Sequence, residues 1–186
     1  MIGFAICGSF CTHKYAIEQL TQLLARGYEV LPLMSENVYS TDTRFGTAAE
    51  LIDRVETLCN RRVVHSIVDA EPIGPKTLLE AMVVCPCTGN TLAKISEGIT
   101  DTAVTMAVKA HLRGNRPLVL ALASNDALSA NLKNIGQMLV RKCVYFTPMR
   151  QDDPDKKPHS LVADFSLLLP TLDAALKGQQ YQKIFI

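Results

Sequence analysis

The segment Cys85-Pro86-Cys87 places one thiol on either side of a proline, which suits a metal site, a redox pair of thiols, or a turn without chemistry of its own. A metal site of the common structural type needs a second cysteine pair or histidines at set spacing, which His65 and His111 do not provide. A disulfide between these thiols would be strained, and thioredoxin-type sites carry two residues between their cysteines. We therefore predict no metal site. The segment is interpreted as a turn that ends a buried strand and places Cys87 near a helix N-terminus, where the pKa of a thiol falls.

The residues around this turn belong to a set of four short polar loops, each of which follows an apolar run. Small residues in such loops let backbone N–H groups approach an anion, and a following helix N-terminus favours negative charge. Taken singly, the loops are explained by helix capping, because Ser, Thr, Asn and Asp are good N-caps. Taken together at one edge of a sheet, they predict a site for a phosphate-bearing ligand. The loops are Cys7-Gly8-Ser9-Phe10, Met34-Ser35-Glu36-Asn37, Pro86-Cys87-Thr88-Gly89-Asn90-Thr91 and Ala123-Ser124-Asn125-Asp126.

The first loop indicates which kind of phosphate-bearing ligand to expect. Gly8 follows an apolar run, but the second and third glycines of the dinucleotide motif Gly-x-Gly-x-x-Gly are absent. A mononucleotide or a flavin is therefore favoured over NAD. The hydroxyl groups of Ser9, Ser35, Thr88 and Thr91 are available as further donors to its phosphate.

The elements that position these loops alternate between strands and helices. Apolar runs without polar alternation are typical of a parallel sheet that is covered on both faces, and right-handed crossovers then give a doubly wound sandwich of three layers. Ligands of such sheets bind outside the carboxyl ends of the strands, where the four loops fall. We predict an α/β fold of the Rossmann-like or flavodoxin-like type that spans residues 1–186 as one domain. The predicted strands are 2–7, 28–34, 61–68, 81–85, 116–123 and 143–148, and the predicted helices are 13–26, 47–60, 74–81, 89–99, 101–114, 125–142 and 160–178.

Composition sets the class of protein. Of 186 residues, 48% are hydrophobic and 20% are charged, and the net charge is +1, as in an ordinary globular domain. The basic excess that would indicate nucleic-acid binding is missing, and no apolar run approaches the length of a membrane span. The apolar start has no basic segment and is interpreted as a first strand, so we expect a cytoplasmic protein whose six cysteines are reduced.

Several of these loops resemble those of a known family. Residues 86–91, followed by LAKISEGITDTAVTMAVKA, resemble the Pro-Ala-Ser-Ala-Asn-Thr loop and helix of flavin-containing cysteine decarboxylases and flavin prenyltransferases. The run GSFCTHK resembles the first phosphate loop of that family, with Gly8, Ser9 and Lys14 in register. Ser35 matches a flavin-contacting Ser or Thr, and Ala123-Ser124-Asn125 lies where the family has Pro-Ala-Met-Asn.

This resemblance implies a flavoprotein fold, a bound FMN, and assembly as trimers or larger trimer-based oligomers in which a neighbour helps to complete the site. It places Asn125 toward the substrate or the flavin ring. It assigns the other matched residues to the cofactor: Gly8, Ser9, Ser35, Pro86, Cys87, Thr88, Asn90, Thr91, Ala123 and Ser124.

Within that family, four segments resemble the B subunits of the dipicolinate synthases of spore-forming bacteria: DAEPIGPKTLLEA, PCTGNTLAKISEGITDT, ASNDALSANLKNIG and QDDPDKKPHSLVADF. This resemblance implies a partner, the pyridine-nucleotide-binding A subunit, with NADP as its nucleotide. It implies formation of dipicolinic acid from a dihydro- or hydroxytetrahydro-dipicolinate precursor, in the mother cell during sporulation. Ser124 replaces the methionine of the family motif and makes the pocket more polar, as a dicarboxylate substrate would require.

The sequence also departs from the decarboxylase pattern. The histidine that precedes the key loop in those enzymes would fall near Glu71-Pro72 here, and His65 lies too early. A cysteine-bearing flap is not found near the C-terminus, so cysteine decarboxylation is not expected. Asp126 and Glu36 are candidate general bases, although such residues are more often caps, and the catalytic residues stay unassigned. Three hypotheses stay open: an FMN-dependent oxidoreductase subunit, a non-catalytic partner subunit with the same fold, and a decarboxylase-like lyase.

Overall fold

The computed structural model describes residues 1–76 and 78–186, which form a sheet with helices packed on both faces. Two single-turn 3-10 helices, Phe10–Thr12 and Phe165–Leu167, precede α-helices. In this described part of the chain, no helix is long and apolar enough to cross a membrane. The strands are β1 (Ile2–Ile6), β2 (Val30–Met34), β3 (Ala81–Cys87), β4 (Leu118–Ser124), β5 (Val144–Phe146), β6 (Met149–Arg150) and β7 (Leu161–Ala163). The helices are α1 (His13–Ala25), α2 (Glu36–Ser40), α3 (Ala48–Cys59), α4 (Ile67–Ala70), α5 (Gly89–Glu97), α6 (Ala103–Leu112), α7 (Leu132–Leu139) and α8 (Leu168–Ala175).

The central strands of the sheet are parallel and follow the order β2-β1-β3-β4. Beyond β4, the neighbouring position is shared: β5 pairs in parallel with residues 118–120, whereas β7 pairs antiparallel with Ala123 and Ser124. β6 lies beside β7. Because the chain leaves β1 for β2 on one side and returns to β3 on the other, the topological switch point lies between β1 and β3. This is the order of flavodoxin-like folds, and the predicted fold class is confirmed.

Apolar clusters fill the spaces between the sheet and its two helical layers. β1 and β3 are buried along their whole length, so they contribute side chains to both layers. On one face, Phe4 shares a cluster with Leu20 of α1 and Leu172 of α8. On the other face, the cluster includes Leu92 of α5 and Ile135 of α7. Burial of apolar surface stabilises such layers by about 25 cal/mol per Å², and it fixes where the strand ends meet the helix starts.

The outer edge of β5 is closed by a side chain. The Oε1 atom of Gln180 accepts a hydrogen bond from the N–H of Phe146 at 2.8 Å, and its Nε2 donates to the Phe146 carbonyl at 2.7 Å. The amide thereby reproduces the pair of hydrogen bonds that a neighbouring strand would make. The chain after Gln180 pairs with β6, where the N–H of Met149 donates to the carbonyl of Ile184 at 2.7 Å.

The predicted strand at residues 61–68 is wrong. Val64 makes a single parallel bridge to Leu33, and the chain then turns into α4. Ser66 is the N-cap of that helix, and its side chain accepts a hydrogen bond from the N–H of Asp69. A good N-cap so soon after the bridge favours a helix over further pairing.

The predicted helix at residues 74–81 is also wrong for the residues that the structure describes. Gly74 has a φ of 106°, which is outside the helical region, and Ala81 already belongs to β3. Thr77, which that prediction includes, lies outside the described residues.

Two other predicted helices are shorter in the structure. Residues 125–131 form a polar turn before α7, because the carbonyl of Asp126 accepts hydrogen bonds from the N–H groups of Ser129 and Asn131, and its carboxylate accepts one from the Asn131 side chain. The predicted helix at residues 160–178 begins instead with β7, since the end of β4 has a free edge that residues 161 and 162 fill. Only α8 and the 3-10 turn before it are helical in that segment.

Candidate functional site

A cleft of about 370 Å³ opens at the switch point, beyond the carboxyl ends of β1, β2 and β3. Its volume lies within the range of small-molecule sites. We call it the switch-point cleft. Five residues that the sequence assigns to a cofactor line it: Gly8, Ser35, Thr88, Asn90 and Thr91. The other lining residues are Glu36, Asn37, Lys94 and Thr102.

Backbone hydrogen bonds hold the loops of the cleft together. The N–H of Cys7 donates to the carbonyl of Pro86 at 3.2 Å and ties the end of β1 to the end of β3. The N–H of Ser35 donates to the carbonyl of Ile6 at 3.0 Å and ties the end of β2 to β1. The sheet itself therefore fixes the floor of the cleft, and a ligand meets a preformed site.

The strand β3 does not end at Pro86, so the turn interpretation is wrong. β3 continues to Cys87, and its pairing with β4 shifts between Val84 and Cys87. A proline has no N–H to donate to the ladder, and an irregularity of this kind accommodates the missing hydrogen bond. The strand carries the chain directly to Thr88, the first residue of the ligand loop.

Thr88 begins α5 as its N-cap. Its Oγ1 accepts a hydrogen bond from the N–H of Thr91 at 3.2 Å and donates one to the Thr91 hydroxyl at 3.0 Å. Helix geometry leaves the N–H groups of Gly89 and Asn90 without intrahelical partners, and the helix dipole adds partial positive charge at this end. The start of α5 thus offers donors and a favourable field to an anion in the cleft.

Gly89 is required by close packing. A Cβ atom at this position would lie 2.3 Å from Ser124 Oγ and 2.6 Å from Asn131 Nδ2. Both side chains donate hydrogen bonds to the carboxylate of Asp126, the Asn131 bond at 2.9 Å. The network continues to Asn134, whose Nδ2 donates to Asn131 Oδ1 at 2.8 Å. The start of α5 is thereby locked against the loop after β4.

The hydroxyl group of Ser35 indicates that a phosphate or a polyol fits the cleft. Its Oγ is buried and has no hydrogen-bond partner within residues 1–76 and 78–186. An unpaired buried hydroxyl costs about 1–3 kcal/mol, and an acceptor oxygen of a ligand in the cleft would satisfy it. Together with Asn90 and the first amides of α5, Ser35 fits the phosphate or ribityl chain of FMN.

Lys94 is a cation on the cleft wall that is not among the site residues predicted from the sequence. Its Nζ lies 2.9 and 2.8 Å from the two carboxylate oxygens of Asp101, and this ion pair lowers the pKa of Asp101. Lys94 follows Asn90 and Thr91 at helical spacing, so the period of α5 would have identified it. Thr102, the N-cap of α6, reaches the same wall because it follows Asp101 directly.

The remaining residues that the sequence assigns to a ligand do not line the cleft. Ser9 forms a backbone turn in which its N–H donates to the carbonyl of Cys7 at 2.8 Å. Pro86 and Cys87 are buried in β3. Ala123 and Ser124 end β4, and Asn125 follows them. Their contacts with a cofactor or a substrate stay predictions.

The two candidate general bases differ in their surroundings. Glu36 lines the cleft, where it is exposed in the first turn of α2. Asp126 uses both carboxylate oxygens to accept hydrogen bonds from Ser124 and Asn131, which makes it the centre of a structural network. Glu36 is therefore the carboxylate that a ligand in the cleft can reach.

Three thiols lie at the ends of β1 and β3, and burial keeps all of them protonated. Burial raises the pKa of Cys7 to about 11 and raises the pKa of Cys85 and Cys87 as well. The expectation that a helix N-terminus lowers the pKa of Cys87 is wrong, because the loss of solvent outweighs the field of the helix. All six cysteines lie among the described residues, and each is a free thiol.

Comparison with known proteins identifies the class to which this fold and cleft belong. A family model described as Flavoprotein matches residues 1–156, and the chain belongs to that family. It is 45% identical to the B subunit of dipicolinate synthase from Bacillus subtilis (strain 168) over 185 residues, which cover 100% of this chain and 92% of that protein. This similarity over the full length places the chain among the dipicolinate synthase B subunits and their relatives, as the sequence motifs predict.

Solved structures agree with this placement. The crystal structure of the dipicolinate synthase B subunit from Bacillus halodurans matches with a TM-score of 0.91 and 42% identity, and the match covers 100% of this chain and 95% of that one. A dodecameric FMN-dependent UbiX-like decarboxylase from Escherichia coli O157:H7 shares the fold, with a TM-score of 0.60 and 23% identity over 80% of each chain.

Proposed function

We propose that this chain is the B subunit of a dipicolinate synthase and holds FMN in the switch-point cleft. The similarity over the full length to the B subunit of the Bacillus subtilis enzyme supports the assignment. The observation that carries the cofactor is the buried, unpaired hydroxyl of Ser35 beside the start of α5. In this proposal, dipicolinic acid forms from a dihydro- or hydroxytetrahydro-dipicolinate precursor. The chain works with the A subunit, which carries NADP, in the mother cell of a sporulating bacterium.

In this proposal, different residues of the cleft bind different parts of the cofactor. The N–H groups of Gly89 and Asn90 bind the phosphate at the positive end of α5. Ser35 donates its hydroxyl proton to a phosphate or ribityl oxygen, and Lys94 neutralises part of the phosphate charge. Asp101 keeps Lys94 on the cleft wall through the 2.8 Å contact.

A hydroxytetrahydro precursor first loses water to give the dihydropyridine ring. Aromatisation of that ring then removes a hydride and a proton. When bound, FMN supplies the two-electron acceptor for such a step. Glu36 accepts the proton in this proposal, because it is the carboxylate on the cleft wall. The thiols of Cys7, Cys85 and Cys87 stay protonated and buried, so they take no part as nucleophiles.

The site is completed by a homo-oligomer in this proposal. The E. coli relative that shares the fold is dodecameric, and the resemblance to the flavin-dependent decarboxylases implies trimer-based assembly. A neighbouring copy would close the switch-point cleft, which is open to solvent on the side of Glu36.

A second candidate is a non-catalytic subunit that keeps the fold while the A subunit holds the active site. The observation that favours it is the composition of the cleft, whose described lining residues include one exposed carboxylate and no histidine. The two candidates differ in what they predict for cofactor content and for the response to the precursor.

The test begins with the visible spectrum of the purified chain and the FMN released on heating. We expect about one FMN per chain, and loss of its visible absorption when the precursor is added anaerobically with the A subunit. A colourless chain that also does not bind added FMN would overturn the flavin assignment and favour the non-catalytic subunit. Release of carbon dioxide from the precursor would instead indicate the decarboxylase-like lyase.

The variant Asn90→Asp tests the position of the phosphate. An aspartate in the first turn of α5 stabilises the helix, yet it repels a phosphate at the same end. We expect loss of FMN with an unchanged circular dichroism spectrum. Asn115→Asp is the matched control, since Asn115 is exposed and does not line the cleft. An Asn90→Asp protein with a full complement of FMN would contradict the assigned pocket.

A further inference from the structure

A second concave surface lies beside the switch-point cleft, and we call it the lateral groove. It has a volume of about 550 Å³ and runs between the start of α1 and residues 41–54. Its floor is apolar and includes Ile17, Val38 and Leu51. Phe10, two residues after Gly8 of the switch-point cleft, forms part of its wall. The groove is therefore close to the cleft but built from other side chains.

Phe45 is held at the rim of this groove by a tight turn. The N–H of Thr43 donates to the carbonyl of Gly46 at 3.0 Å, and the N–H of Gly46 donates back at 3.2 Å. Gly46 has a φ of 138°, a conformation that favours glycine. Phe45 is 55% exposed, and the Arg44 guanidinium lies over its ring, 4.9 Å from the ring centre. The turn therefore keeps Phe45 largely exposed at the groove instead of burying it in the core, and an exposed aromatic ring suits stacking with a ligand.

The groove also carries unpaired positive charge. Lys14 and Arg54 line it, and neither has a carboxylate within 4.0 Å among the residues that the structure describes. The Nζ of Lys14 lies 4.6 Å from the centre of the Tyr15 ring, a contact that leaves its charge free of any anion. Glu50 also lines the groove and keeps its negative charge, because the hydrogen bonds that it accepts from the N–H and the hydroxyl of Thr47, at 3.0 and 2.9 Å, lower its pKa. His13 is uncharged at neutral pH, since burial lowers its pKa. The groove thus combines an apolar floor with a net positive charge, because its two cations, Lys14 and Arg54, outnumber its one carboxylate.

We propose that the lateral groove binds a planar aromatic or heteroaromatic carboxylate. The ring lies against Phe45 and the apolar floor, and the carboxylate pairs with Arg54 and Lys14. An arginine fork matches the two oxygens of a carboxylate, and the volume is within the range of small-molecule sites. An aliphatic acid would leave Phe45 without a stacking partner, and a neutral arene would leave both cations unpaired.

The experiment is a calorimetric titration of the full chain, as purified, with pyridine-2,6-dicarboxylate in metal-free buffer. Only the choice of this probe rests on the proposed function; benzene-1,3-dicarboxylate serves as a second probe that does not chelate metals. We expect saturable binding of one molecule per chain. Arg54→Gln and Lys14→Gln are each expected to weaken it about tenfold, the loss of one charge-assisted hydrogen bond. Arg62→Gln, which changes an exposed arginine outside the groove, is expected to bind as the parent does.

The outcomes separate the groove from the switch-point cleft. Loss of dicarboxylate binding in Arg54→Gln with unchanged FMN content supports the groove. If the purified chain holds no FMN but Arg54→Gln still loses dicarboxylate binding, the groove proposal is supported and the proposed flavin site is not. Absence of saturable binding, equal affinity in Arg54→Gln and the parent, or loss in Asn90→Asp but not in Arg54→Gln would each overturn the proposal.

Discussion

Replacement of Gly89 by alanine tests how tightly the start of α5 is locked to the loop after β4. The new Cβ would lie 2.3 Å from Ser124 Oγ and 2.8 Å from Asp126 Oδ1, so these side chains must move apart. Their movement breaks hydrogen bonds to a carboxylate, each of which contributes about 1.5–3 kcal/mol. Alanine regains at most about 1 kcal/mol through its helix propensity. We expect the free energy of unfolding to fall by about 2–4 kcal/mol, and the melting temperature by roughly 5–15 °C for a chain of this length.

Urea denaturation followed by circular dichroism measures this change, and a second glycine supplies the control. A Cβ at Gly136 in α7 would meet no atom within 4 Å, so Gly136→Ala should stabilise the chain by up to about 1 kcal/mol. Ser124→Ala removes the nearest oxygen and should restore part of the stability that Gly89→Ala loses. A Gly89→Ala variant as stable as the parent would refute the packing argument.

Two further changes probe the cleft and the thiols behind it. Lys94→Gln removes the cation from the cleft wall, and fluorescence titration should show FMN binding weakened about tenfold; the exposed Lys142→Gln is the control, and equal affinities would exclude a phosphate contact. Because burial raises the pKa of Cys7 from 9.0 to about 11, the folded chain keeps a proton that the unfolded chain loses. This stabilisation is complete below pH 9 and is lost as the pH rises toward 11, so urea midpoints should fall across that range. Cys7→Ala should reduce the slope, and a slope identical to that of the parent would show that other groups cause it.

The fold was largely predictable because β1 and β3 are buried on both faces and appear in the sequence as uninterrupted apolar runs. The local sequence pattern predicted the wrong secondary structure where a tertiary contact or a helix cap determined it. Residues 61–68 look like a strand, but the edge of β2 accepts only Val64 before Ser66 caps a helix. Pro86 looks like a strand end, but β4 tolerates an irregular register and β3 continues.

The candidate site was predictable to the extent that it is built from strand ends. Gly8, Ser35 and Thr88 meet because parallel strands deliver their carboxyl ends to one edge. The contribution of Lys94 depends on the face that α5 turns toward the cleft, and that of Thr102 on where α6 begins. The thiol of Cys87 shows the limit of reasoning from neighbours in sequence, because burial governs its pKa and is set by the whole fold.

The amide of Gln180 occupies the place on β5 where a strand from another molecule would otherwise add. Exposed strand edges are templates for intermolecular pairing and aggregation. Since a chain is synthesised from its N-terminus, β4 and β5 leave the ribosome before this glutamine does. The nascent chain therefore has an unpaired sheet edge from the time that β5 docks until Gln180 is synthesised and binds there. A chain truncated before residue 180 would keep that edge unpaired permanently.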